Sequence, residues 1–164
     1  MSLFFLDQQE SNETIHCLAV NIGQSQLLVP MPAVAEIILN QEPEKSGRLP
    51  EWVAGWVAWR YLNIPLIDFA ALQNGAAASD DFGTSTRILV LNSFAEGHSH
   101  HYYAIVTRGF PHSLRVEADC EMATQSAADK GNCIKIDLQV ENKKLLLPDF
   151  SQIETYLKEI PLYY

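Results

Sequence analysis

The sequence has few basic residues: 11 lysines and arginines stand against 20 aspartates and glutamates, and the formal net charge is -9. The basic residues are scattered, whereas affinity for nucleic-acid backbones comes from clustered lysine and arginine. The composition therefore argues against nucleic-acid binding. Long apolar runs are also lacking, because the longest uncharged apolar stretch, Trp52 to Trp59, is far shorter than the ~20 residues that cross a bilayer. We expect no direct membrane insertion.

Cysteine is scarce as well. The three cysteines, Cys17, Cys120 and Cys133, are odd in number, lie far apart and form no C-x-x-C pair. This pattern argues against a disulfide framework and against a structural zinc site. The residues that follow Met1 include no basic start of a signal peptide. We therefore expect free thiols and a cytoplasmic protein.

The common catalytic motifs are missing. The chain contains neither a G-x-S-x-G elbow nor a G-x-x-x-x-G-K-[ST] loop. Cys17 follows His16, but adjacent residues of a strand point to opposite faces, so they do not pair as nucleophile and base. We expect no catalytic residues and no enzyme activity.

One histidine-rich segment offers weak metal candidates, His98, His100 and His101. Imidazoles at this spacing can share a first-row metal ion. The segment falls between two predicted strands, however, and no cysteine lies beside it as a further ligand. A solvated loop without metal or cofactor is favoured, and a metal-dependent enzyme stays open as a minor alternative.

The residues that are abundant predict a mainly β fold. Ile134 to Glu141 alternates apolar and polar residues, so one face of a strand is expected to be buried and the other wet. A polar turn then leads to the apolar run at Leu145, which predicts a hairpin. Similar short strands recur upstream, about ten in all, and favour a barrel or sandwich. Their ranges are 15–22, 26–30, 34–39, 55–61, 64–67, 87–92, 102–107 and 113–117.

Two helices are predicted within a single domain that spans residues 1–164. Ser151 and Glu154 have the spacing of a capping box, which predicts a C-terminal helix at about 151–159. Asp68 is suited to cap a short internal helix, because its carboxylate accepts hydrogen bonds from free N–H groups at a helix start. A linker rich in Gly, Ala and Ser follows and suggests a divide between two β units near residues 73–86.

The most informative stretch places charges inside apolar strands. Arg60 follows a run of tryptophan and valine, and Glu36 lies on an apolar strand about 20 residues upstream. A desolvated ion that lacks its partner costs several kcal/mol, in the range of ~3 to 5, so we expect these two side chains to pair. Trp52, Trp56 and Trp59 are either interface anchors or ordinary core residues.

The order of these features resembles the CheW family of chemotaxis coupling proteins. Family members carry an early V-x-E-I strand, a proline turn, and then a G-h-h-x-x-R-G-x-x-h-P-h-h-D-L segment, where h is hydrophobic. The matching residues here are Val34, Glu36, Ile37, Leu49, Pro50, Gly55, Trp56, Val57, Arg60, Pro65, Leu66, Ile67 and Asp68.

The resemblance implies two interlocked five-stranded SH3-like β-barrels with a short internal helix and a C-terminal helix. It implies a non-enzymatic adaptor that joins a methyl-accepting chemoreceptor to a CheA-type histidine kinase. By position, Glu36 and Arg60 would form a salt bridge that shapes the partner surface, with Trp56 and Tyr61 as further contacts. Three residues would have structural roles: Gly55 in close strand packing, Pro65 in the same motif, and Asp68 at the helix start.

Two positions depart from the family pattern. The family glycine after the arginine is Tyr61 here, and the asparagine two residues before it is Ala58. Tyr61 adds a side chain where the backbone is usually bare, so the local turn or the partner surface must differ. The Trp59-Arg60 pair resembles adaptors of type IV pilus chemosensory systems. The alternative function from the sequence is a β-barrel that binds a small ligand.

Overall fold

The computed structural model describes residues 14–94, 100–117, 122–123, 133–140 and 142–163. Within these ranges the chain forms eleven strands and two α-helices, with a 3-10 turn at Met31–Ala33. No helix in the described ranges is long and apolar enough to span a membrane. The strands are β1 Thr14–Asn21, β2 Gln26–Pro30, β3 Val34–Leu39, β4 Val53–Trp59, β5 Leu62–Ile67, β6 Thr86–Asn92, β7 Tyr102–Arg108, β8 His112–Glu117, β9 Met122–Ala123, β10 Ile134–Val140 and β11 Lys143–Pro148; the helices are α1 Phe69–Asn74 and α2 Phe150–Leu157.

The strands form two sheets, which confirms the predicted mainly β fold. One sheet has the strand order β8-β1-β2-β11-β10-β9 and the other the order β3-β6-β7-β5-β4. The second sheet has the five strands expected. The first has six, because the two-residue strand β9, which the sequence pattern did not predict, pairs with β10.

The chain passes between the sheets twice. It leaves the six-stranded sheet after β2, builds the whole five-stranded sheet from β3 to β7, and returns with β8. The linker at residues 73–86 connects β5 and α1 to β6, so the predicted divide falls inside one sheet rather than between the two. The parallel pairing of β2 with β11 then joins an early strand of the chain to a late one within the six-stranded sheet.

The hairpin β10–β11 is confirmed, but its alternation is imperfect. The register shifts between Ile134 and Ile136, as in a β-bulge. The irregularity separates Ile134 from Ile136, Leu138 and Val140, which still pack together in one cluster. Asp137 lies on the opposite face from these three residues and was expected to be wet, but it is 2% exposed.

Each of the two helices is capped at its N-terminus by an aspartate. Asp68 accepts a hydrogen bond from the Ala71 N–H (3.3 Å) and so caps α1 as predicted. Asp149 caps α2 by accepting from the Gln152 N–H (3.1 Å), so the predicted capping box at Ser151 is wrong. Ser151 lies inside the helix, and Glu154 instead accepts a hydrogen bond from the Phe94 N–H.

Buried side chains form one large cluster shared by the sheets and a smaller cluster within each sheet. The shared cluster includes Leu27 of β2, Leu89 of β6 and Ile153 of α2. Burial of each such side chain contributes about 1.5–3 kcal/mol relative to exposure. The α2 helix therefore packs into the cluster that the two sheets share, through Ile153 and Leu157.

Candidate functional site

Strands β4 and β5 form a hairpin, and the two residues of its tight turn are Arg60 and Tyr61. Trp59 pairs with Leu62, and the two turn residues have φ values of 45° and 64°. Two central residues with positive φ are the signature of a type I′ turn, which matches the twist of the flanking strands. Arg60 thus lies in the turn and not on a strand face. The backbone of Tyr61 has a left-handed conformation that glycine adopts more easily, and the Tyr61 side chain is fully exposed.

Glu36 on β3 contacts this hairpin. The Trp59 indole Nε1 donates a hydrogen bond to Glu36 Oε2 at 2.5 Å, and Arg60 Nε lies 3.9 Å from the same oxygen. The Arg60 guanidinium also lies over the Trp59 ring, 4.7 Å from its centroid. The ring itself packs edge-on against Tyr102 at 4.9 Å. We call Glu36, Trp59, Arg60, Tyr61 and Leu62 the hairpin surface.

The ion pair between Glu36 and Arg60 exists but is not buried. The side chains are 41% and 65% exposed, respectively, so the expectation of a desolvated pair is wrong. A turn at the end of a hairpin projects into solvent, and exposed pairs contribute only ~0–1 kcal/mol. The pair therefore orients the Arg60 side chain more than it stabilises the fold.

Trp56, predicted as a partner contact, is a core residue. It is 3% exposed. Its Nε1 donates to the Ser46 carbonyl at 3.1 Å, and its ring packs against Tyr163 at 5.4 Å between centroids. Strand alternation sends Trp56 into the shared cluster and Trp59 into the cluster of the five-stranded sheet. A partner protein does not reach Trp56 in this conformation.

Gly55 lies where another segment approaches β4 closely. A Cβ at this position would meet the Glu44 carbonyl oxygen at 2.8 Å and the Pro43 Cβ at 2.9 Å, and the φ of Gly55 is 148°. Both the space and the backbone conformation require glycine. The approaching segment matters because Glu44 exchanges two backbone hydrogen bonds of 2.8 Å with Trp56.

The bridge to Glu44 also explains Pro65. Trp56 directs both its N–H and its carbonyl toward Glu44, so it has no ladder bond to give to Pro65, which lies opposite on β5. A proline is tolerated at a position that needs no N–H donor. Downstream, Asp68 accepts a second hydrogen bond from the Ser79 N–H at 3.0 Å, which ties the linker to the start of α1.

Gln41, which was not predicted to have a role, contacts strand β4. Its side-chain amide donates to the Ala58 carbonyl and accepts from the Ala58 N–H, both at 3.1 Å. Strand β4 is an edge of its sheet, and this amide satisfies backbone groups that an edge leaves unpaired. A glutamine in a loop carries no sequence signal for this role.

The structure describes two of the three candidate histidines, His100 and His101. His98 lies outside the described residues. His100 is 6% exposed, in contrast to the solvated loop expected, and its Nε2 lies 2.9 Å from the Ile160 carbonyl oxygen. His101 is exposed. Among the residues that the structure describes, no three His, Cys, Asp or Glu side chains are grouped to hold a metal ion.

Comparison with known proteins identifies the family. The fold is similar to the crystal structure of the scaffolding protein TtCheW from Thermoanaerobacter tengcongensis, with a TM-score of 0.68 at 11% sequence identity, covering 83% of this chain and 84% of that one. No curated protein sequence matches this chain significantly. The CheW-like domain family profile matches residues 16–153. The chain therefore belongs to the CheW-like domain family.

Proposed function

We propose that this chain is a non-enzymatic cytoplasmic adaptor, which couples a methyl-accepting chemoreceptor to a CheA-type histidine kinase by protein–protein binding. Family membership supports a scaffold role in chemotaxis-type signalling. The observation that carries the proposal is the hairpin surface. Its turn presents an exposed tyrosine and an arginine, and the arginine packs on the Trp59 ring.

The hairpin surface has the chemistry of a binding hot spot. Tyrosine and arginine, the exposed residues of the turn, are among the residue types enriched at such spots. Arg60 is held by the Trp59 ring and by the Glu36 carboxylate, so less of its side-chain entropy remains to be lost on binding.

The backbone of the turn supports the same proposal. Tyr61 is a non-glycine residue with a φ of 64°, and its side chain is fully exposed. Strained positions that persist often coincide with functional sites. We infer that Arg60 and Tyr61 contact a protein partner, with Glu36 as their support, while Gly55, Pro65 and Asp68 maintain the strand and helix beneath.

A pull-down with the purified chain tests the proposal. The bait is offered to a CheA-type kinase and a chemoreceptor encoded in the same genome, and wild type is compared with Arg60→Glu and Tyr61→Gly. Both substitutions alter side chains that are not part of the buried core. Wild type is expected to retain both partners, and the two variants are expected to lose at least one, with about tenfold weaker binding.

Lys158→Glu is the matched control, because it reverses an exposed positive charge just after α2, a helix that contributes no residue to the hairpin surface. It is expected to bind as wild type does. Capture of neither partner by folded wild-type protein contradicts the adaptor function. Equal binding by all variants contradicts the role of the hairpin surface while leaving the adaptor function standing.

We further propose that the output is type IV pilus motility, on the basis of the Trp59-Arg60 pair. Deletion of the gene is expected to impair surface twitching and to leave flagellar swimming intact. Loss of swimming alone contradicts this assignment.

A further inference from the structure

A polar cavity of about 400 Å³ lies beside the six-stranded sheet and shares no residue with the hairpin surface. A volume of this size accommodates a small metabolite. Its walls come from the turn between β1 and β2, from strands β10 and β11, and from α1. The residues that matter are Asp137 and Lys144, surrounded by the side-chain amides of Asn21, Gln24, Gln26 and Gln73.

The Asp137 carboxylate in this cavity has one oxygen that accepts no hydrogen bond from the described residues. Its side chain is 3% exposed, and its Oδ2 lies 3.5 Å from Lys144 Nζ. Its Oδ1 has no hydrogen-bond partner in the described part of the chain. A buried carboxylate oxygen without a donor is costly. The carboxylate rotates easily about χ2, so either oxygen can be presented to the cavity.

Lys144 supplies the complementary charge. Its side chain is 62% exposed, so the ammonium group is free to move from Asp137 toward a bound molecule. The pair is neutral overall, and a ligand with a single charge would leave one of the two groups unmatched. The surrounding amides both donate and accept hydrogen bonds, and therefore suit a polar ligand of no net charge.

The mouth of the cavity is held in shape before any ligand binds. The Asn21 side-chain oxygen accepts a hydrogen bond from the Gly23 N–H at 2.8 Å, and the Ile22 N–H donates to the Ser25 carbonyl at 3.0 Å. A turn that is already ordered loses little entropy when it contacts a ligand.

We propose that this cavity binds a small zwitterion of the free α-amino acid type, with its ammonium group on Asp137 and its carboxylate near Lys144. The site is distinct from the proposed protein-binding surface and does not depend on the adaptor function. The small molecule would bind at the six-stranded sheet, whereas the proposed protein partner would contact the five-stranded sheet.

Nuclear magnetic resonance titration of the full chain tests this site. The probes are the unmodified L-amino acids, added singly at millimolar concentration, and for each one its N-acetyl derivative. At least one unmodified amino acid is expected to shift the backbone amide signals of Gly23, Gln26 and Lys144 in a saturable way. N-acetylation removes the ammonium group and is expected to abolish the shifts.

Two variants assign the contacts. Asp137→Asn is expected to weaken binding at least about tenfold, because a charge-assisted hydrogen bond is lost. Lys144→Met is expected to weaken binding of the amino acid but not of its decarboxylated amine. Lys143→Met is the matched control, since Lys143 is the adjacent exposed lysine on the other face of β11.

The proposal is overturned by any of three results. They are the absence of saturable shifts across the whole panel, equal binding of the N-acetyl derivatives, and equal loss of binding in Lys144→Met and Lys143→Met. If Asp137→Asn does not give a dispersed, folded spectrum, the comparison of the two lysine variants decides the question by itself.

Discussion

The indole of Trp59 donates a hydrogen bond to the carboxylate of Glu36, and this contact joins the two edge strands of the five-stranded sheet. Glu36 lies on β3 and Trp59 on β4, the first and last strands in the order β3-β6-β7-β5-β4. The sheet is thus closed at this point by side chains. The same carboxylate orients Arg60, so one residue serves both the fold and the proposed partner surface.

Trp59→Phe keeps an aromatic ring but removes the N–H donor. We expect a double-mutant cycle with Glu36→Leu, which removes both acceptor oxygens, to give a coupling free energy of about 1.5 kcal/mol, the lower end for a hydrogen bond to a charged group. Urea denaturation measures the free energy of unfolding of each variant. The matched cycle of Arg60→Gln with Glu36→Leu should give less than about 0.5 kcal/mol, as exposed ion pairs do. Additive effects in the first cycle would contradict the tie between the edge strands.

Gly55→Ala is expected to lower the free energy of unfolding by about 2 kcal/mol, because the new methyl group overlaps backbone and proline atoms. Gly47→Ala is the control. Gly47 also has a positive φ, of 79°, but nothing lies within 4 Å of the added atom. Its cost should be about 1 kcal/mol, from the backbone conformation alone. Equal losses for both variants would show that the close approach of Glu44 is unimportant.

Tyr61→Gly is expected to stabilise the folded chain slightly. Relief of the left-handed conformation is worth about 1 kcal/mol, and the greater freedom of glycine in the unfolded chain offsets about half of it. Tyr61→Ala retains the strain and should not stabilise. Thermal unfolding distinguishes the two. A stabilised Tyr61→Gly variant that has also lost partner binding would separate the role of the side chain in recognition from any role in folding.

Stability is expected to fall at alkaline pH, in part through Cys133. Burial, with a smaller contribution from Asp149, raises the pKa of the Cys133 thiol from 9.0 to about 12. The folded chain therefore holds this proton more tightly than the unfolded chain. The resulting stability is fully present below the unfolded pKa and is lost as pH rises toward the folded one.

Free energies of unfolding measured between about pH 8 and pH 11 test this prediction. Cys133→Ala should show a shallower decline than wild type. A decline will remain, because burial also raises the pKa of Tyr103 above its ordinary value. An unchanged slope in Cys133→Ala would contradict the assignment to this thiol.

Every strand but the two-residue β9, the short internal helix and the family could be predicted from the sequence alone. Strand alternation depends on neighbouring residues, and the Asp68 cap depends on a carboxylate and an N–H group three residues apart. The chemistry of the hairpin surface was also visible, since Arg60 and Tyr61 are adjacent in the chain.

Which charged and aromatic residues are buried could not be predicted from the sequence and depends on the tertiary structure. Trp56 and Trp59 both read as interface candidates, yet each is buried, in different clusters. Asp137 was expected to be exposed, yet it is buried where β10 pairs with both β11 and β9. Burial depends on contacts between segments far apart in the chain, such as the pairing of β2 with β11. Local periodicity carries no information on such contacts, because they form only when both sheets are assembled.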